Sequence, residues 1–273
     1  MLELFFFSIL AIIILAPCGY IFNTHKNNNI INLSNDLIYG LILISFITLL
    51  INFFAPLNII INSVILIFPL IIIFNNKEYY FSINFLKFVI FNSIIVFLLM
   101  AKSNIYRPDA ILYHLPYINI LNEEKIIFGL SNLHFRYAHV SIIQYFSSFF
   151  NNFIFGYKGI TFSIAIVASS VIINFLAYLI KYLKNKKFDF HFFYLFFILI
   201  FISYKMNRYS EYGNDAVAHF SYFYLISRIL ENNKINLNLI SIISVFTFLN
   251  KSTMIIILLV PLFLCVYNFI YRV

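Results

Sequence analysis

Apolar residues in this chain come in long uninterrupted runs. They do not alternate as in a half-buried sheet, nor form the narrow stripe of a soluble amphipathic helix. Runs near the roughly 20 residues that carry a helix across a bilayer lie at about 2–22, 36–54, 57–75, 83–101, 158–180, 190–204, 216–232, 236–250 and 253–271. The pattern predicts an all-α, polytopic transmembrane helical bundle of about nine spans, one domain over residues 1–273. The runs 190–204 and 236–250 are short. They are expected to tilt differently, to draw in flanking polar residues, or to be partly re-entrant. No fixed-period repeat is visible, and residues 102–157 form the one long stretch that does not read as a span.

Composition agrees. Charged residues make up 10% and the mean hydropathy is +0.94, against about 25% charged residues in soluble domains. The formal charge of +8 comes from scattered Lys and Arg with no basic face or recognition motif, which argues against a nucleic-acid partner. Cys18 and Cys265 stand far apart without metal or disulfide spacing and are expected to be buried, inert thiols. There is no Trp, so any aromatic belt must be made of Tyr and Phe. At the N-terminus Glu3 is the sole charge and no small-residue cleavage site follows, so this run reads as a first span rather than a signal peptide.

Loop charge sets the expected orientation. Placing Lys181, Lys184, Lys186 and Lys187 in the cytoplasm puts Lys26, Lys77, Arg228, Lys234 and Arg272 there too. Glu3, the whole 102–157 segment and the short loops near 205–215 and 249–252 fall outside, together with Lys102, Arg107, Lys125, Lys158, Lys205 and Arg208. Asp109, His114, Glu123, Glu124, His134, Arg136, Glu211, Asp215 and Lys251 are thereby gathered on one side. Such residues are costly near a membrane unless they face water or each other.

The long loop predicts a helix from Pro108-Asp109, lying in the membrane interface and kinked or ended by Pro116. Asp109 and Tyr113 then sit one turn apart with His114 adjacent. A polar turn with His134 and Arg136 follows, then an amphipathic stretch at 137–155 with Tyr145, Phe146, Phe149 and Phe150 on an aromatic side. A carboxylate here suits a general base toward a hydroxyl, and Arg and His suit a phosphate leaving group. Each residue also has a plainer reading. Asp109 serves equally as a helix start or as partner of Arg107, His114 as a ring facing headgroups, and His134 and Arg136 as parts of a self-bonded loop. Asp215 can cap a helix and Lys251 can snorkel. Glu123-Glu124-Lys125 reads as a solvated turn, with a divalent metal as the open alternative.

Two motifs carry a resemblance: Asp109 with Tyr113-His114-Leu115-Pro116, and Gly129-Leu130 with Asn132, His134 and Arg136. They resemble poorly characterised bacterial membrane proteins similar to the GT-C superfamily of polyprenyl-phosphate-sugar-dependent glycosyltransferases. The resemblance implies Asp109 as catalytic carboxylate. It implies Arg136, Lys251 and Arg208 near a lipid-linked phosphate, with His114, His134 and Asp215 also binding substrate. It further implies a multi-pass protein of a bacterial inner membrane, acting at the extracytoplasmic face with membrane lipid and a polyprenyl-phosphate-linked sugar as partners. No cofactor is required by it, and a divalent metal stays open. The chain stops just after a span, so C-terminal truncation is part of the expectation. The competing expectations are a transporter or flippase of lipid-linked oligosaccharide and a non-catalytic membrane protein.

Overall fold

The computed structural model describes residues 2–22, 28–80, 82–102, 109–138, 141–209, 213–231 and 236–271. Among these residues the regular structure is entirely helical. In chain order the helices are α1 (Leu2–Tyr20), α2 (Ile30–Asn52), α3 (Ile59–Asn75), α4 (Lys77–Tyr80) and α5 (Ile83–Lys102). A π turn (Ala110–His114) then runs into α6 (Leu115–Glu123), followed by α7 (Ile142–Phe149), α8 (Ser163–Lys184), α9 (Phe190–Tyr209), α10 (Asn214–Leu230), α11 (Leu237–Asn250) and α12 (Leu259–Tyr271). Short 3-10 turns lead into α8 and α12.

Among the described residues, five helical stretches are long and apolar enough to cross a membrane: Glu3–Tyr20, Ile30–Asn52, Ile83–Ala101, Tyr157–Lys184 and Ser252–Ile270. Three shorter apolar helices, Ile59–Asn75, Phe190–Lys205 and Leu237–Asn250, accompany them. Helix α10, the remaining predicted span, has 17 residues with Asp215 in its first turn and Arg228 in its last. The protein therefore has the make-up of a helical membrane protein. Tyr157–Lys184 is the central stretch, 83% buried, whereas Ser252–Ile270 is 6% buried and lies at the margin.

Two glycines seat α1 against α2. A Cβ on Gly19 would lie 1.8 Å from the Asp36 carbonyl oxygen, and one on Gly40 would lie 2.0 Å from that of Leu15. The backbones thus touch directly, the arrangement that small residues permit between apolar helices.

Helix α2 begins six residues before the apolar run at 36–54 would suggest, because Asn29 accepts the Asn32 N–H and caps it. Its polar first turns point inward. Asn174 on α8 donates to Ser34 Oγ (2.8 Å) and Asn35 Oδ1 (2.9 Å), and the α10 hydroxyl of Tyr224 donates to Asn35 Oδ1 (2.7 Å). A buried network worth of hydrogen bonds is costly to break in a low-dielectric interior, so it fixes how α2, α8 and α10 meet. At the same end His191 is held by Tyr182 and Ser227, each at 2.9 Å. Arg228 pairs with Glu231 and donates to the Tyr178 hydroxyl at 3.2 Å.

The opposite end holds the loop. Asn52 Nδ2 donates to the Glu124 carbonyl (3.0 Å), and Asn62 Nδ2 donates to those of Ser148 (2.8 Å) and Asn151 (3.0 Å). Lys158 pairs with Glu3 at 3.2 Å. Two expectations are corrected. Helix α7 is not a surface helix with one apolar side, since every residue from Ile142 to Phe149 is buried. Its aromatic rings pack inward as part of the core. Cys18 is buried as expected, but Cys265 is exposed on the marginal α12.

Candidate functional site

The π turn sets the entry to the site. Pro116 has no N–H and its ring would crowd the Leu112 carbonyl in a regular helix. The Leu115 N–H instead reaches back to the Ala110 carbonyl, widening the turn. The helix continues through Pro116 rather than ending there. The two polar rings of this turn then part company. Tyr113 stays half-buried while His114 is 4% exposed.

Around these rings the structure gathers charges from three further segments. Asp109, on the exposed start of the turn, lies close enough to Tyr113 for its carboxylate to act on the phenol. The Arg136 guanidinium lies over the Tyr113 ring at 5.4 Å and over Phe135 at 5.1 Å. Tyr113 and His114 touch, with ring centroids 4.2 Å apart. At the start of α10, a Cβ placed on Gly213 would lie 3.9 Å from His114 Nε2. Asp215, next along α10, accepts a hydrogen bond of 2.7 Å from Lys251 at the end of α11. Asp109, Asp215 and Arg136 all act electrostatically on both Tyr113 and His114.

Burial pushes the His114 imidazole down to about 4, overriding the opposing pull of Asp109 and Asp215, with Arg136 adding to the depression. Burial also raises the Tyr113 phenol, assisted by the Asp109 charge and opposed by Arg136. At neutral pH the site therefore holds a neutral imidazole and a neutral phenol among two carboxylates and two cations.

His114 is braced from below. Its Nδ1 is 3.1 Å from Gln144 Nε2. Gln144 Oε1 accepts the Ser141 N–H at 3.1 Å, the glutamine arm of a capping box that starts α7. Asn250, just before Lys251, accepts from Ser141 Oγ (3.0 Å) and the Ile143 N–H (3.2 Å) while donating to the Phe246 carbonyl (2.8 Å). One amide thus ties the start of α7 to the end of α11, and the next residue delivers the lysine.

Five of the residues expected at a site, Asp109, His114, Arg136, Asp215 and Lys251, share this patch. His134 sits on its shoulder. Its Nδ1 accepts the Arg136 N–H at 3.3 Å and its ring stacks on Phe135 at 5.0 Å, so it shapes the turn that carries the guanidinium. Glu123 and Glu124 are exposed at the end of α6. Among the described residues no group of three or more His, Cys, Asp or Glu is set up to hold a metal ion. Arg107, His139, Glu211 and the Arg208 side chain lie outside the described residues. Gln144 and Asn250 were not anticipated. Ser141-Ile-Ile-Gln144 does carry the capping-box spacing, whereas no local signal marks Asn250.

The turn beside the patch presents bare apolar side chains, with Phe128 87%, Leu133 79% and Phe135 66% exposed. Apolar area so open next to charged groups suits a boundary between lipid and water. No curated protein and no solved structure matches the chain. A family model described as a domain of unknown function (DUF8201) matches residues 1–273.

Proposed function

The chain belongs to the DUF8201 family, and we propose that it is a membrane glycosyltransferase moving a sugar from a polyprenyl-phosphate donor to an acceptor hydroxyl at the extracytoplasmic face. One observation carries the reading: an exposed carboxylate, Asp109, shares a patch with Arg136 and Lys251 beside a bare apolar turn, at one end of an apolar bundle. A lipid-linked donor needs that combination of an apolar berth for its tail, cations for its phosphate and a base for its partner.

In this reading the nine apolar segments cross the membrane with the Lys181–Lys187 loop in the cytoplasm. Asp109 takes the proton of the acceptor hydroxyl as its oxygen attacks the anomeric carbon. The bond from that carbon to the phosphate oxygen breaks, and the polyprenyl phosphate leaves with the electron pair. Arg136 and Lys251 receive its charge. Attack opposite the leaving group inverts the anomeric configuration. Lys251 is free to change partners, because its pair with Asp215 is 34% and 56% exposed and such pairs are worth only about 0–1 kcal/mol.

The carrier reading draws on the charged and polar groups at the other end, Asp36 and the Arg228–Glu231 pair. Purified protein supplied with a polyprenyl-phosphate sugar and a lipid or glycan acceptor separates the two. Asp109→Asn is expected to lower transfer about 100-fold or more. Full transfer by that variant would overturn the assignment, and lipid-linked oligosaccharide movement without transfer would favour the carrier.

A further inference from the structure

We infer that Gln144 is a positioning residue that holds His114 as the neutral Nε2–H tautomer, so that the imidazole serves the site as a hydrogen-bond donor and not as a base or a cation. The argument runs from a backbone group whose role is fixed. The Ser141 N–H can only donate, so the Gln144 atom 3.1 Å from it is the amide oxygen. The other end of that amide is therefore its NH2, and this is the group 3.1 Å from His114 Nδ1. An NH2 facing a ring nitrogen requires the nitrogen to accept. Nδ1 is then unprotonated, and the single ring proton sits on Nε2, on the side of Gly213.

Protonating the ring would put an N–H against the Gln144 NH2. Gln144 from α7 thus opposes the imidazolium, as do burial and Arg136 from the 3-10 turn Phe135–Ala138. Asp109 on the same helical segment and Asp215 from α10 favour it, and Tyr113 beside it is neutral. Burial outweighs the two carboxylates. The brace is itself rigid, because Ser141 is held by Asn250 and every residue of α7 is buried.

A neutral donor has a specific use beside two cations. It binds an oxygen of the ligand without a proton of its own to lose, so its contribution does not change between pH 6 and 8. The natural acceptor is a phosphate or sugar oxygen. That last step rests on the glycosyl-transfer reading; the tautomer does not.

The test is nitrogen-15 NMR of histidine-labelled full-length protein in lipid nanodiscs, with His114→Asn identifying one signal among six histidines. The expected spectrum shows His114 protonated at Nε2 alone and unchanged from pH 8 to 5.5. A ring protonated at Nδ1, or titrating near 6.5, overturns the inference. Gln144→Glu keeps an acceptor for the Ser141 N–H but turns an acceptor toward Nδ1. It is expected to move the proton to Nδ1 and to raise the midpoint from about 4 to above 6.5. An unchanged tautomer in folded Gln144→Glu overturns the role of Gln144; if that variant does not fold, the wild-type spectrum alone decides. Where transfer is measurable, Gln144→Glu is expected to lower kcat about 100-fold at pH 7 and to add a pH inflection absent from the parent. Absence of transfer with every donor would sink the transferase reading and leave the spectroscopic result standing.

Discussion

Lys251 Nζ meets Asp215 Oδ1 at 2.7 Å, joining the end of α11 to the first turn of α10. Asp215 also complements the positive end of the α10 dipole, so the lysine is the partner with charge to spare. Lys251→Met should lower thermal stability by less than about 1 kcal/mol. In the transferase reading it should raise KM for the phosphate donor about tenfold or more, because a charge-assisted contact to phosphate is worth roughly 1.5–3 kcal/mol. A normal KM with reduced stability would make the lysine a structural brace.

Acid should unfold the protein partly through His114. Its folded-state midpoint lies near 4 against about 6.5 unfolded. The unfolded chain therefore binds the extra proton between those values. Stability from this group is complete above pH 6.5, falls as the pH drops, and is fully lost below 4. Its size is up to roughly 3 kcal/mol. Thermal unfolding in detergent from pH 7 to 4.5 should show a steeper decline for the parent than for His114→Asn.

Asn250 accepts two hydrogen bonds from the start of α7 with 2% of its surface exposed. Asn250→Leu would strand the Ser141 hydroxyl and the Ile143 N–H. A loss of about 2–4 kcal/mol is expected, together with loosening of the segment that braces His114. Hydrogen exchange at Ile143 and Gln144 should quicken before that of α8 does.

Gly19→Leu and Gly40→Leu should each prevent α1 from seating on α2. The obstacle in both cases is a backbone carbonyl about 2 Å from the new Cβ, and no rotamer moves it aside. Loss of the monodisperse species in size-exclusion chromatography would be the sign. Normal behaviour of both variants would mean the helices do not meet there.

The apolar runs were legible because a bilayer-length helix writes its length directly into the chain. The start of α2 was not, since Ser34 and Asn35 look like loop residues until Asn174, about 140 positions away, is seen to receive them. Counting helices toward one side brought Asp109, Arg136, Asp215 and Lys251 to a common face, and their meeting in one patch needed the fold. Gln144 and Asn250 were hidden for another reason. They are neutral amides in a chain crowded with asparagine, and Asn250 bonds to Ser141 across 109 positions. The one-sided burial expected of an amphipathic stretch at 137–155 failed for α7 because both of its sides have neighbours.

The widened turn at Ala110–His114 amounts to one surplus residue spliced into a helix without breaking it. Each residue of a regular helix advances the direction of its side chain by about 100°. The insertion thus sets Asp109 upstream and Tyr117 downstream on independent clocks. A chain able to absorb or discard that residue can re-aim the Asp109 carboxylate against an otherwise unaltered bundle, so in the transferase reading a one-residue deletion between Ala110 and His114 would turn the base away from its acceptor while leaving architecture alone.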